Sequence, residues 1–131
     1  MGQCCRRCGI CRSVSSLRPF AVVRVPFPFS DRNAQKRRPA LVLSPLSFQQ
    51  RSGHLLLAMI TSANQSCWPL DWLIEGLEPA GLRQPCLVRM KLFTLDERLL
   101  LGQLGALAQP DRLGVSQRLQ SLLPTLESGE A

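Results

Sequence analysis

The chain has one histidine, His54, among 131 residues, which excludes an acid–base centre built on two histidines of one polypeptide. His54 follows Gly53 at the start of an apolar run, a place that suits capping or solvent contact better than catalysis. Acids are also scarce, nine in all. Asp31, Asp71, Glu75, Glu78, Asp96 and Glu97 are scattered over loops with no tight carboxylate group of the kind that holds magnesium. No GxxxxGK followed by Ser or Thr, no GxGxxG and no GxSxG occurs, which removes nucleotide hydrolysis, dinucleotide binding and the hydrolase elbow. No apolar run approaches the ~20 residues of a membrane span, and no secretory signal opens the chain. The expectation is a cytoplasmic protein with no membrane contact. No period of about 20 to 50 residues recurs, so a solenoid is not expected.

Cysteine is absent from most of the sequence as well. Of six, Cys4, Cys5, Cys8 and Cys11 crowd into the first eleven residues, and only Cys67 and Cys86 fall in the body. That distribution makes no disulfide framework. Cys5 and Cys8, like Cys8 and Cys11, have CxxC spacing, but no second ligand pair follows across a loop as structural zinc requires. The expectation is no metal and no cofactor. Residues 1–18 read as a disordered extension, one that a start codon placed too far upstream would also explain. Residues 19–126 read as one domain and 127–131 as a tail.

What the chain does hold is positive charge, net +7 with a pI near 9.8, a balance that selects polyanions or acidic partners. Residues 1–38 carry nine Lys and Arg against one acid, for +8, and the remainder is close to neutral at −1. Within this basic half, two apolar, β-branched runs, Val22 to Phe29 and Ala40 to Ser44, flank a polar connector ending in Lys36, Arg37 and Arg38. A guanidinium at the mouth of a strand is a cation on a rigid support, suited to a phosphate. By itself, though, such a cluster is more often a solvated edge.

Strands are expected at Phe20–Phe27, with Pro26 and Pro28 ending its pairing, at Arg38–Ser44 and at His54–Thr61. The last is apolar enough to be buried on both faces. Alternation of Trp68, Leu70, Trp72 and Ile74 predicts a half-buried strand, and Cys86–Thr94 predicts another. Leu99–Leu107 suits helix or strand, with Gly102 and Gly105 favouring strand. Val115, Leu119, Leu122 and Leu123 form a helical stripe that Pro110 and Asp111 start and Pro124 stops. The fold class is therefore mainly β, a small closed barrel with a C-terminal α-helix.

VPFPFSD, KRRPALVLSP, AMITSA, VRMKLFTLD and the LGxL turn before the last helix resemble, in order from about Phe20 to Leu123, the MazF/PemK family of toxins from type II toxin–antitoxin modules. The resemblance implies an SH3-like barrel, a homodimer and metal-independent cutting of single-stranded RNA that leaves a 2′,3′-cyclic phosphate. It carries the family's catalytic arginine to Arg38 and its strand-end threonine to Thr61. Lys36 and Arg37 become phosphate contacts, Ser62 an aid to Thr61, and Phe27 and Phe29 either base-stacking rings or core. The implied partner is a cognate antitoxin whose acidic, disordered tail lies in the basic groove, with operator DNA bound jointly. The same resemblance leaves open a non-enzymatic toxin that poisons gyrase, or a toxin that folds but no longer cuts. Phe20-Ala21 stands where many members have Gly-Asp, and the connector lacks an acid near its end, so no general base is assigned.

Overall fold

A computed structural model describes residues 17–27, 36–64 and 67–124. Six strands, β1 (Ala21–Phe27), β2 (Lys36–Val42), β3 (His54–Ser62), β4 (Trp72–Leu73), β5 (Cys86–Asp96) and β6 (Gly102–Ala106), are joined by helix α1 (Leu46–Ser52) and closed by helix α2 (Gln109–Leu122). They form one antiparallel sheet in the order β4-β5-β3-β2-β1-β6.

Both faces of the central strands are buried, which is why β1 and β3 read as near-continuous apolar runs rather than as alternating ones. Val22, Leu41, Ile60 and Val88 line one face, against Ile74, Leu107 and Val115 of α2. Val23, Val25, Val42, Leu55 and Leu57 line the other, with Leu17 and Leu95. Most of these side chains are wholly buried, each worth roughly 1.5–3 kcal/mol of transfer free energy.

The sheet curls into a half-barrel. Its edge strands β4 and β6 do not pair with each other, and the expected closure comes from the loop between β4 and β5 instead. Pro79 O accepts the Ala106 N–H of β6 at 3.0 Å. Two glycines allow this approach: Gly81 (φ 76°) abuts the Leu104 backbone, and Gly105 abuts Pro79 and Ala80, so a Cβ at either would strike main chain.

Two expectations for the strands are corrected. Pro26 does not end β1, which pairs onward through Pro26–Arg37 and Phe27–Lys36. Leu101 N donates to Arg24 O, so the even-numbered backbone groups of β1 face β6. Pro26 falls on that side, past the last pair at Arg24–Gly102, where its missing N–H costs no ladder bond. Trp68–Ile74 is also not one strand, since only Trp72–Leu73 pairs. Trp68 and Asp71 form a turn, with Asp71 N donating to Trp68 O at 3.4 Å and Trp68 N donating to Asp71 Oδ2 at 2.9 Å. Leu70 lies in the left-handed region at φ 66°. By contrast, Gly102–Ala106 is a strand, as its glycines suggested. The stripe on α2 holds at Val115 and Leu119, but Leu122 and Leu123 are 38% and 51% exposed.

Asp111, wholly buried, does more than open α2. Its carboxylate accepts the Trp72 indole N–H, the Glu75 N–H and the Gly76 N–H, each at 2.9 Å. Gly114, one turn on, lies flat against the Trp72 ring, and the Arg118 guanidinium covers that indole at 4.6 Å. This lock fixes the root of the loop that closes the half-barrel.

Candidate functional site

Arg38 and Thr61 meet where β2 and β3 part. Leu43 N donates to Leu56 O, so the odd-numbered backbone groups of β2 face β3. Pro39 is one of these and supplies no N–H, and the ladder stops at Ala40–Met59. Two residues further along each strand, in the gap that opens, come Arg38 and Thr61. Proline thus does structural work in the RRPA segment, ending the pairing at the point where a polar cleft begins.

That cleft is a groove of about 730 Å³ lined by both residues. Lys36, Arg37 and Ser62 line it too, so five of the seven expected site residues share one groove. Phe27 stands behind them: the Arg38 guanidinium lies over its ring at 4.9 Å, a cation–π contact that fixes the cation's direction. Phe29 lies outside the described residues. Ser62 has a turn-forming task, its hydroxyl accepting the Asn64 N–H at 3.3 Å.

The electrostatics are one-sided. Arg24 of β1 and Arg83 of the β4–β5 loop join Lys36, Arg37 and Arg38, which gives five cations and no carboxylate along the described lining. Among the described residues the two ion pairs lie elsewhere, at Arg89–Asp71 (2.9 Å) and Arg98–Asp96 (2.7 Å). Arg38 Nε is buried with no hydrogen-bond partner among the described residues. A buried unpaired donor of this kind costs roughly 1–3 kcal/mol. Cys86 lies at the base beside Ser62, its register partner. Burial pushes its thiol up, so it stays a neutral filler.

Arg24, Arg83 and Gln84 were missed in the sequence. Arg24 is a lone charge in an apolar strand, and its one signal was the break it makes in the run of valines. Arg83 and Gln84 sit in a Gly/Pro-marked connection that offers no pattern. His54 stands at the far end of β3, seven residues from Thr61 and so about 23 Å away, consistent with a role outside the groove. Among the described residues no group of three or more His, Cys, Asp or Glu is placed to hold a metal ion. No helix there is long and apolar enough to cross a membrane.

Comparison with solved structures finds the same fold. The MazE–MazF complex of Deinococcus radiodurans matches with a TM-score of 0.66 at 22% identity, over 85% of this chain and 98% of that one. An endoribonuclease from a mycobacterial species, solved with its cognate antitoxin, matches at 0.65 and 15% identity, over 85% and 98%. A MazF toxin of Mycobacterium tuberculosis matches at 0.61 and 17%, over 77% and 93%. Sequence comparison with curated proteins finds no match. The family model of PemK-like, MazF-like toxins matches residues 18–123. With most of its length covered, the chain belongs to the PemK-like, MazF-like toxins of type II toxin–antitoxin systems.

Proposed function

We propose that this toxin is an endoribonuclease that cuts single-stranded RNA without a metal ion. The observation that carries the reading is the meeting of Arg38 and Thr61 in one groove lined by five cations and no carboxylate. The 2′-OH of one ribose attacks the adjacent phosphorus, an O2′–P bond forms and the P–O5′ bond breaks. The 2′ proton leaves to solvent, and the departing 5′ oxygen takes one up. Negative charge grows on the phosphoryl oxygens as this proceeds. Arg38, steadied by Phe27 and held on a strand, stabilises that charge, and the Thr61 hydroxyl donates to a non-bridging oxygen and keeps the phosphate in line. The products are a 2′,3′-cyclic phosphate and a 5′-hydroxyl. Five cations repel a divalent metal and attract a phosphate chain, and Lys36 and Arg37 hold the strand independently of sequence.

The same positive groove is suited to the acidic, disordered tail of a cognate antitoxin, which would block RNA by occupation. Relatives of this fold have been solved in a MazE–MazF complex and with a cognate antitoxin. We propose a homodimer as the working unit, supported by the exposed Leu73 on β4, Leu113 and Leu122 on α2 and Leu123 at its C-cap, and joint binding of operator DNA with the antitoxin. The functional unit is the domain at 19–126 together with Leu17, which is buried in its core.

The test is incubation of purified protein with single-stranded RNA in EDTA. The expected result is fragments ending in a 2′,3′-cyclic phosphate, with no cut at a position carrying 2′-deoxyribose. Intact RNA, or cutting of the deoxy-substituted strand, would overturn the proposal.

A further inference from the structure

The groove is larger than the reaction at Arg38 requires. Its volume of about 730 Å³ lies in the upper part of the roughly 300–1,000 Å³ span of small-ligand sites, leaving room beyond a single phosphodiester. The loop segment Gly81–Gln84, with Leu104 of β6, lines the groove as well. Arg83 and Gln84 are exposed there, and neither has a hydrogen-bond or ion-pair partner among the described residues.

Unpartnered surface residues on a loose loop would call for no explanation. This loop is fixed. Gly81 N donates to Glu78 O, Leu82 N to Leu77 O and Ala106 N to Pro79 O, each at 3.0 Å. Gly81 and Gly105 press main chain against main chain on both sides of the contact, and Asp111 holds Gly76 at the root. The backbone that carries Arg83 and Gln84 is therefore held where it lines the same groove as Arg38 and Thr61. A main chain fixed before a ligand arrives lowers the cost of binding it.

We infer that Arg83 and Gln84 form a second subsite, which takes the nucleotide next to the scissile phosphate and reads its base. The inference rests on the groove being an RNA site. Arg83 contacts the flanking phosphate. Gln84 offers a carbonyl beside an NH₂, a donor–acceptor pair that matches adenine N6 and N7, and an unpaired strand leaves such base edges accessible. Arg38 and Thr61 decide whether a bond is cut, and Gln84 contributes to deciding where.

The experiment uses the full chain and a single-stranded RNA pool randomised around the cut, with fragment ends sequenced for the wild type, Gln84→Ala and Gln84→Glu. The wild type should favour adenine at one position beside the cut. Gln84→Ala should flatten that preference by roughly tenfold, and Gln84→Glu should move it towards cytosine, whose N4 donates to a carboxylate. In parallel, binding of a non-cleavable, 2′-deoxy-substituted strand is measured against salt. Arg83→Ala should reduce the slope of log affinity on log salt by about 0.7, the value of one single-strand phosphate contact. Both residues are exposed, and thermal melting checks that the variants fold. Unchanged site preference in both Gln84 variants together with an unchanged salt slope in Arg83→Ala, from a wild type that cuts, overturns this subsite alone. A wild type that neither binds nor cuts RNA overturns the groove's reading and the subsite with it.

Discussion

Replacing Asp111 is the most demanding test of how the loop that lines the groove is held. Its carboxylate accepts three hydrogen bonds, all at 2.9 Å, from Trp72 Nε1, Glu75 N and Gly76 N. Asp111→Ala leaves all three donors facing a void. Hydrogen bonds to a charged group contribute about 1.5–3 kcal/mol each. Trp72 and Gly76 are half-buried and Glu75 is exposed, so water can reach part of the site, and the lower end of the sum applies, about 4.5 kcal/mol. That is a large fraction of the roughly 5–15 kcal/mol typical of a domain. Asp111→Asn keeps one acceptor oxygen and turns an NH₂ towards a donor, so it should lose about half as much. Urea unfolding followed by tryptophan fluorescence and circular dichroism measures both. With a slope near 2 kcal/mol per molar, the midpoint should fall by about 2 M for Ala and about 1 M for Asn. An Ala variant within about 0.3 M of the wild type would refute the claim that this carboxylate anchors β4 and its loop to α2.

Gly114→Ala sets a helix-propensity gain of about 1 kcal/mol against a Cβ driven into the Trp72 ring. Overpacking costs about 1–3 kcal/mol, so a lower melting temperature is expected. A raised one would mean the ring moves aside freely. Stability should also fall in acid. Burial works to raise the Asp71 carboxyl, but its bonds to Arg89 and Trp68 N outweigh that and hold it below the usual value of 3.8. Arg98's side-chain hydrogen bond, against some burial, brings Asp96 down to about 2. Both carboxylates bind protons more weakly when folded, so their stabilisation is complete above about pH 4. It is lost as pH falls through the depressed values, for Asp96 between 3.8 and about 2. Asp71→Asn and Asp96→Asn should each flatten this acid limb in pH-dependent melting, and an unaltered limb in both would contradict the assignment. Thr61→Val, close to isosteric, should lower RNA cleavage by roughly 10²-fold by removing one donor to the phosphoryl oxygen, while Thr61→Ser retains most activity. Equal loss in both would show that Thr61 acts through packing.

The sequence was most legible where one physical demand ruled a segment. His54–Ser62 is buried on both faces, and its unbroken apolar run said so. The RRPA segment pointed to a site only through its resemblance to the MazF/PemK motifs, because cations before a strand are by themselves more often a solvated edge; the structure brings Arg38 into one groove with Thr61. Legibility failed where distant contacts decide the structure. Leu46–Ser52 is a helix with no side-chain N-cap and with Gln49 as its one buried residue. Gln49 is held by Glu97 at 3.1 Å from far along the chain, and no apolar period could announce it. In WPLDWLIE the alternation was real, but Asp71 turned inward to Arg89 (2.9 Å) and broke the strand. Asp111 suited a helix start, while its three partners, 35 to 39 residues away, were invisible locally. Arg83 and Gln84 became part of the groove only because a loop crosses to β6.

The central claim is that the Arg38 guanidinium stabilises charge developing on a phosphate, and the direct measurement is the single-turnover rate of RNA cleavage in EDTA for the wild type, Arg38→Lys and Arg38→Ala. Loss of a fixed donor at a developing oxyanion costs about 10²- to 10³-fold. Arg38→Ala should therefore slow cleavage by at least that factor, and Arg38→Lys should recover only part of it, because an ammonium keeps the charge without the planar fork. Cleavage by Arg38→Ala at the wild-type rate, in protein that melts like the wild type, would contradict the account.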